Sequence, residues 1–407
     1  MKKNIVIAIV VFAVTAGVYL LTAHLLRKVD PPHTAYFNYL ADAFLQGRTY
    51  LVNPPKTADL TQFEGRWYVP FLPLPAFLLL PWVGIAGPEK TSTVLFGSLM
   101  GALNAALVFL LLQALAKRRW IRLPTIDNLG LTLLFSFGCV EWYIAMEGSV
   151  WFLSQVCTVT FVLLSLWIAV EFHSPALSGT ALALALFGRP HLVLVCPLLF
   201  AIGIQLSGEE RGEQHVSASR WIVRWIVILL FPLLVSVCLI LGYNYLRFGN
   251  YLDFGYLTEN VNPPLIKEFK IYGQFNLHYV PHNFWSMILA GPQWDANRKI
   301  ISPNRDGMSL FLTTPAILYI FQALKKNWLS LGAWIALALI LVPLLTYYNT
   351  GWWQFGYRFS LDFMPVVVIL LAIAAGERLR SGFWILIWLG VGINLWGAWW
   401  FAQLHAT

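Results

Sequence analysis

Long apolar runs, most of them close to about 20 residues, dominate the pattern of the chain, and short polar segments separate them. Helices of that length span a bilayer, and the runs do not alternate as membrane β-strands do. The pattern therefore predicts an all-α, polytopic membrane protein with about eleven transmembrane helices. The predicted spans cover residues 4–26, 94–116, 129–145, 150–170, two short halves within 177–206, 221–243, 310–324, 329–347, 359–375 and 383–401.

The segment after the first span changes from uniformly apolar to amphipathic. Residues 34–46 follow Asp30 and two prolines, and a helix there places one apolar set of side chains together: Tyr36, Phe37, Leu40, Ala43 and Phe44. Asn38, Asp42 and Gln46 share the opposite side. We expect this helix to lie along the bilayer surface, with Asp42 on its solvated face.

Two other segments interrupt the regular pattern. Residues 61–88 are apolar but rich in proline, which predicts a second interfacial or re-entrant element rather than a regular span. The sequence FGRPH at residues 187–191 divides the run 177–206. Two tilted helices, a hairpin or one broken helix all fit that stretch.

Charge and composition fix the class and the orientation. Apolar residues make up 58% of the chain and charged residues 11%, whereas soluble domains carry about 25% charged residues. The net charge of +8 does not form a nucleic-acid-binding face, because basic residues collect in short loops at span ends. Clusters at residues 117–122 and at Lys325 and Lys326 predict a cytoplasmic side, with the N-terminus also inside and the first span retained rather than cleaved.

The resulting organisation is a single transmembrane domain over residues 1–407. A first outer loop with interfacial helices covers residues 27–89, and a second outer loop covers residues 244–306. No nucleotide-binding motif is present, and the four cysteines lie in apolar spans without metal-ligand spacing. We therefore predict no metal or cofactor, although the sequence leaves a divalent metal possible.

Ionisable residues gather near the predicted outer face, where charges close to membrane depth are usually paired or functional. They include Asp30, His33, Glu147, Arg189, His191, Asp253, His278, His282, Arg358 and Asp362. An outer-face enzyme that lacks an ATP site needs an activated substrate supplied through the membrane. That requirement points to a lipid-linked donor.

Several segments carry a resemblance to a known superfamily. They are DPPHTAYFNYLADAFLQG, GRWYVPFLPLPAFLLLP, LALALFGRPH, and the pair GYNYLRFGNYLDFGY and GWWQFGYRFSLDFMP. The layout resembles the GT-C membrane glycosyltransferases, which include the protein O-mannosyltransferases and the lipid A aminoarabinose transferase. One feature departs from that pattern, because the acid pair of the superfamily is absent and its position falls nearer Pro32 or His33.

The resemblance implies an inverting transferase in a bacterial-type inner membrane. It would move a sugar from a polyprenyl-phosphate donor to a hydroxyl of a glycan, lipid or protein acceptor at the outer face. Membrane lipids would be its other partners, and nucleic acid would not be one. A non-enzymatic transporter of lipid-linked glycans and a glycan polymerase or ligase are the alternatives.

The chemistry assigns roles to the candidate residues. The attacking hydroxyl needs a base, for which Asp30 is the first candidate and His33 the second. The departing phosphate needs cations, for which Arg189 is the first candidate, followed by Arg358 and Arg247. Glu147 and His191 are further substrate-binding candidates.

Each candidate also has a structural interpretation. Asp30 fits a turn before two prolines, and His33 fits a helix cap. Arg189 also fits a cation that extends to the interface, and Arg358 fits an ion pair with Asp362. The Trp352–Trp353 pair fits an interfacial aromatic belt better than a platform for sugar stacking.

Overall fold

The computed structural model describes residues 2–210, 218–261, 263–296, 299–324 and 327–404, so the basic pair Lys325 and Lys326 lies outside the described residues. The helices are α1 (Lys2–Leu25), α2 (Tyr36–Leu45), α3 (Leu74–Ala86), α4 (Thr93–Lys117), α5 (Thr125–Phe137), α6 (Glu141–Ala145), α7 (Val150–Phe172), α8 (Pro175–Leu186), α9 (Cys196–Glu210), α10 (Ala218–Phe248), α11 (Pro263–Tyr272), α12 (Val280–Ile288), α13 (Leu310–Thr313), α14 (Trp328–Thr346), α15 (Met364–Ala375) and α16 (Ser381–Leu404). Five 3-10 helices cover Pro190–Val195, Tyr256–Thr258, Leu277–Tyr279, Pro315–Ala323 and Arg358–Asp362. Two hairpins, β1 (Thr61–Phe63) with β2 (Arg66–Tyr68) and β3 (Gln293–Asp295) with β4 (Ile300–Ser302), complete the structure.

The protein is an all-α, multi-pass membrane protein. Within the described residues, seven helical segments are long and apolar enough to cross a bilayer: α1, α4, α7, Pro190–Glu209, α10, α14 and α16. Four shorter helices, α3, α5, α8 and α15, are also apolar. Helix α15 lies in the middle of the bundle, where Met364 and every residue from Pro365 to Ala374 are buried.

Three predicted spans are interrupted rather than continuous. Gly138 ends α5, and α6 starts at Glu141, so the run 129–145 forms two helices. A short α-helix and a 3-10 helix that begins at Pro315 replace the predicted helix 310–324. The predicted helix 359–375 starts as 3-10 helix and becomes α-helical at Met364, before Pro365. Glycine and proline weaken helical hydrogen bonding at such positions, which explains the breaks.

The region 177–206 is a hairpin. Helix α7 begins beside the large cavity described below and ends where Glu171 pairs with Lys117, 2.6 Å away, on the opposite face. Helix α8 follows directly and ends at Gly188 and Arg189, which line the cavity. Helix α9 then returns to Glu209, which pairs with Arg118 at 2.7 Å. Of the three arrangements that the sequence allowed, the hairpin is the one observed.

Helix α2 packs differently from the prediction. Its side chains Tyr36, Phe37 and Leu40 are buried against α3 and α7, so its apolar face packs on protein. Asn38, predicted on the solvated side, is fully buried and donates hydrogen bonds to the carbonyl oxygens of Pro88 (2.9 Å) and Thr91 (2.8 Å). Exposed apolar side chains of this region include Leu45 at the end of α2 and Phe77, Trp82 and Ile85 on α3.

The two outer loops are joined by backbone pairing. Thr61 at the start of β1 forms an antiparallel bridge with Glu259. The amide of Asp59 donates to the carbonyl oxygen of Asn260 (3.0 Å), and the amide of Asn260 donates to that of Leu60 (2.9 Å). Segments about 200 residues apart in sequence therefore form one layer over the bundle.

Replacing Asn38 with alanine should destabilise the protein. The substitution leaves the carbonyl oxygens of Pro88 and Thr91 without their donor in a dry environment, which costs about 2 kcal/mol. We expect a lower thermal unfolding temperature in detergent for Asn38→Ala. The matched substitution Asp42→Ala, on the exposed side of the same helix, should change the temperature little, and equal effects of the two would contradict this assignment.

Candidate functional site

A cavity of about 2870 Å³ opens at one face of the bundle, which we call the cavity face. The end of α1, the α8–α9 break, both outer loops and the end of α16 line it. Charged residues facing it include Lys28, Asp59, Glu147, Arg189, Asp253, Glu259 and Arg358. Apolar and charged walls in one cavity suit a ligand that is partly lipid and partly polar.

The Asp362 carboxylate joins three parts of the site. Asp362 has an exposed fraction of 0%, and its Oδ2 lies 2.9 Å from His191 Nε2 and 3.0 Å from Arg189 Nε. Gln155 Nε2 on α7 donates to Asp362 Oδ1 at 2.9 Å and to the carbonyl oxygen of Arg358 at 2.8 Å. Burial raises the pKa of Asp362, but the Arg189 charge and the bonds from His191 and Gln155 outweigh it and hold the pKa below its usual value.

Two arginines face the cavity with different partners. Arg189 pairs with Asp362, whereas the Nε of Arg358 is buried and has no hydrogen-bond partner among the described residues. The residue Arg358 has an exposed fraction of 8%, and its guanidinium lies over the rings of Phe152 (5.2 Å) and Phe359 (5.0 Å). A buried guanidinium with free donors at a cavity wall is well suited to an anion such as phosphate.

Asp59 and Glu259 face the cavity from the paired outer loops. Burial raises the pKa of Asp59 to about 6, and the Arg358 charge and a hydrogen bond from Trp151 limit the rise. Burial raises the pKa of Glu259 well above the usual range, and the Asp59 charge adds to that rise. Burial therefore makes both carboxyl groups harder to ionise than solvent-exposed ones.

Tyrosines surround these acids. Tyr348 and Tyr256 carry raised pKa values because of burial, with Glu259 adding to the rise in both. Tyr36 donates through its hydroxyl to the carbonyl oxygen of Ala58 at 2.9 Å, and so fixes the loop that carries Asp59. The groups around Asp59 are thus a cation, a second buried acid and buried phenols.

Glu147 and Lys28 form an ion pair on the cavity wall. Both side chains are largely buried, and the Lys28 ammonium lies 5.3 Å from the centre of the Phe401 ring. The predicted outer-face acid Glu147 therefore has a cationic partner from the end of α1.

The structure places the two predicted base residues, Asp30 and His33, in different environments. Asp30 accepts hydrogen bonds from the Val94 amide (3.1 Å) and from the Ser92 hydroxyl, so it caps the N-terminus of α4, and it is not among the cavity-lining residues. His33 is exposed and lines the cavity. Geometry thus brings His33 to the site and gives Asp30 a structural role.

Arg247 is also outside the cavity lining. Its guanidinium donates to the Val69 carbonyl oxygen (2.8 Å) and to Asn244 Oδ1 (2.7 Å), and it stacks on the rings of Tyr243 (4.2 Å) and Phe248 (4.6 Å). These contacts attach the end of α10 to the first outer loop. Arg247 therefore has the environment of a structural cation.

Sequence reasoning did not identify Asp59 or Glu259. Both lie in polar loop segments, and no helical or strand periodicity marks either of them. The signal that identifies them is the pairing of the two loops, which only the structure shows. Among the described residues, no group of three or more His, Cys, Asp or Glu side chains could hold a metal ion.

Asp362→Asn should destabilise the folded protein strongly. The amide leaves the partly buried Arg189 without its counterion, and breaking such a pair costs about 3 kcal/mol. Thermal unfolding in detergent would measure this as a large drop in the transition temperature. Asp253→Asn, whose carboxylate accepts from the Gly255 amide at a half-exposed position, serves as the control, and a similar drop for both would contradict the central role of Asp362.

Comparison with known proteins gives matches at the level of structure. No family model matches the sequence, and no curated protein matches it. The crystal structure of ArnT from Cupriavidus metallidurans bound to undecaprenyl phosphate is similar over 95% of this chain and 63% of that chain, with 14% identity and a TM-score of 0.52. A structure of the Archaeoglobus fulgidus oligosaccharyltransferase, tethered to an acceptor peptide, covers 98% of this chain and 55% of that chain, with 13% identity and a TM-score of 0.45. The chain spans less than two thirds of either protein, and its fold is similar to that of the ArnT structure.

Proposed function

We propose that this protein is a membrane glycosyltransferase that takes a sugar from a polyprenyl-phosphate donor and attaches it to an acceptor hydroxyl. The reaction would occur at the cavity face, which is the outer face in the orientation predicted from the basic loops. The observation that carries the proposal is a single cavity with a lipid-accessible apolar wall, a buried free guanidinium and an acid of raised pKa.

The apolar wall suits a polyprenyl chain. Leu25 at the end of α1 and Leu395 and Trp399 on α16 line the cavity, and all three are exposed on the surface of the bundle. In a bilayer such side chains face lipid, so a lipid substrate reaches the cavity sideways without crossing water. The similar ArnT structure holds undecaprenyl phosphate.

The phosphate would bind at the arginines. Arg358 offers unpaired donors, and Arg189 contributes a second positive charge that Asp362 orients. As the bond from the anomeric carbon to the phosphate oxygen breaks, the electron pair stays on the phosphate, where guanidinium groups stabilise the added charge. His191, held by Asp362, is a positioning residue in this scheme.

Asp59 would act as the base. The acceptor hydroxyl gives its proton to the Asp59 carboxylate as its oxygen bonds to the anomeric carbon, which inverts that carbon. A pKa near 6 makes Asp59 a stronger base than an ordinary aspartate while it remains ionised at neutral pH. Glu259 would contact the acceptor beside Asp59, and His33 and Glu147 would contact the substrates from the rim and the wall.

Asp59→Asn should abolish transfer of labelled sugar from undecaprenyl-phosphate donors in detergent or vesicles. A lost base costs about a hundredfold or more, and the wild-type rate should rise with pH up to about 6 and then level off, since only ionised Asp59 accepts the proton.

The control is Asp30→Asn. It should lower thermal stability only slightly, because Ser92 still caps α4 and the asparagine oxygen can still accept from the Val94 amide, and it should retain transfer. Loss of transfer in this variant with full activity in Asp59→Asn would return the base to the Asp30–His33 corner. Movement of the lipid-linked sugar across vesicles without any transfer product would identify a transporter instead.

A further inference from the structure

Two consecutive tryptophans at the cavity have an unfavourable backbone. Trp352 (φ 48°) and Trp353 (φ 47°) both adopt the left-handed conformation, and both line the cavity. Bulky L-residues avoid this region, at a cost of about 1–3 kcal/mol for each residue. Such strain persists only where the surrounding structure fixes it, and it concentrates at ligand sites.

Gln354 holds this turn in place. Its fully buried side chain donates to the carbonyl oxygens of Thr350 (2.8 Å) and Asp306 (3.1 Å), and it accepts from the Arg358 amide (2.9 Å). The backbone amide of Gln354 donates to the carbonyl oxygen of Arg305 at 2.9 Å. The indole rings therefore stand on a rigid support rather than on a free loop.

The turn directly contacts the free guanidinium. Gly351 has φ 125°, and a Cβ added there would lie 2.8 Å from Arg358 Nε, so only glycine fits. Trp352 directly follows Gly351, the residue that lies beside the cation that we assign to the phosphate. In a polyprenyl-phosphate sugar the ring is joined to the phosphate by one oxygen, and the sugar ring must therefore lie next to this turn.

We infer that Trp352 forms the platform on which the sugar ring of the donor stacks, with Trp353 as its support. This inference rests on the proposed function and names the subsite for the transferred sugar. A pyranose has an apolar face of C–H groups, which packs on an indole, and a rim of hydroxyls that remain available to polar groups. Arg305 lies over the Trp353 ring at 5.2 Å and fixes it, and half-buried Trp352 carries the platform itself.

An interfacial aromatic belt does not account for this geometry. A belt tryptophan needs only to reach the headgroup region, which an ordinary backbone allows. Trp294 on β3, 63% exposed and absent from the cavity lining, is of that kind, and its backbone is in the ordinary β conformation. The strain, the Gln354 bonds and the contact with Arg358 all belong to the cavity pair.

The test compares binding of undecaprenyl phosphate with binding of undecaprenyl-phosphate glucose, mannose and galactose to the full-length protein. Trp352→Ala should weaken binding of the accepted sugar-bearing lipid about tenfold and leave bare undecaprenyl phosphate unaffected, because only the stacking contact is lost. Trp352→Phe should restore most of the affinity. Arg358→Gln should weaken both lipids, and Trp294→Ala should weaken neither.

Three results would overturn the platform. Trp352→Ala could bind both kinds of lipid as the wild type does, it could lose both equally while still folded by thermal unfolding, or the wild type could bind bare undecaprenyl phosphate as tightly as every sugar-bearing form. The proposed function fails on a different result, namely a wild-type protein that binds no polyprenyl phosphate and transfers no sugar.

Discussion

The site depends on one buried carboxylate. Asp362 lies where the 3-10 helix Arg358–Asp362, the α8–α9 break and α7 meet, and it holds a side chain from two of them. Without that negative charge, Arg189 and His191 would lose the carboxylate that they contact. Arg189 would then be an unpaired cation near the membrane interior, at a substantial cost in free energy. Both oxygens of Asp362 have other partners, and the Nε of the neighbouring Arg358 has no hydrogen-bond partner among the described residues.

A second constraint joins the outer loops. Because the amide of Asp59 and the carbonyl of Asn260 are paired, neither loop can adopt its backbone without the other. The Tyr36 hydroxyl on α2 donates a hydrogen bond to the carbonyl oxygen of Ala58 and so fixes the first loop. The apolar side of α2 packs against α3. The amphipathic helix is therefore a support for the acids, because its apolar side packs on protein.

The sequence was sufficient for the class of fold and most span positions, since apolar run length follows directly from bilayer physics. It also predicted Arg189 as a site residue from the polar break inside an apolar run, and the structure places Arg189 on the cavity wall. It predicted Asn38 on a solvated side of the helix, whereas the structure buries it. Helical periodicity shows which residues share a side of a helix but not which other segments pack against that side. It missed Asp59 and Glu259 because their proximity comes from two backbone segments far apart in the chain, which no local pattern reports. Arg247 shows the converse case, in which an outer-face cation serves only to attach α10 to a loop.

The division between bundle and loops has a consequence for the chemistry. Arg358 belongs to the bundle and Asp59 to the first loop, yet the Arg358 charge acts on Asp59 and lowers its pKa against the effect of burial. An anionic phosphate bound at Arg358 would neutralise that cation, so the pKa of Asp59 would rise when the donor is present. The carboxylate would then be a still stronger base in the donor-loaded protein, and the phosphate would remain on the opposite side of the anomeric carbon, as inversion requires. The Arg358 charge on one wall of the cavity therefore affects the pKa of Asp59 on the other wall, and this electrostatic effect does not require a hydrogen bond between the two side chains.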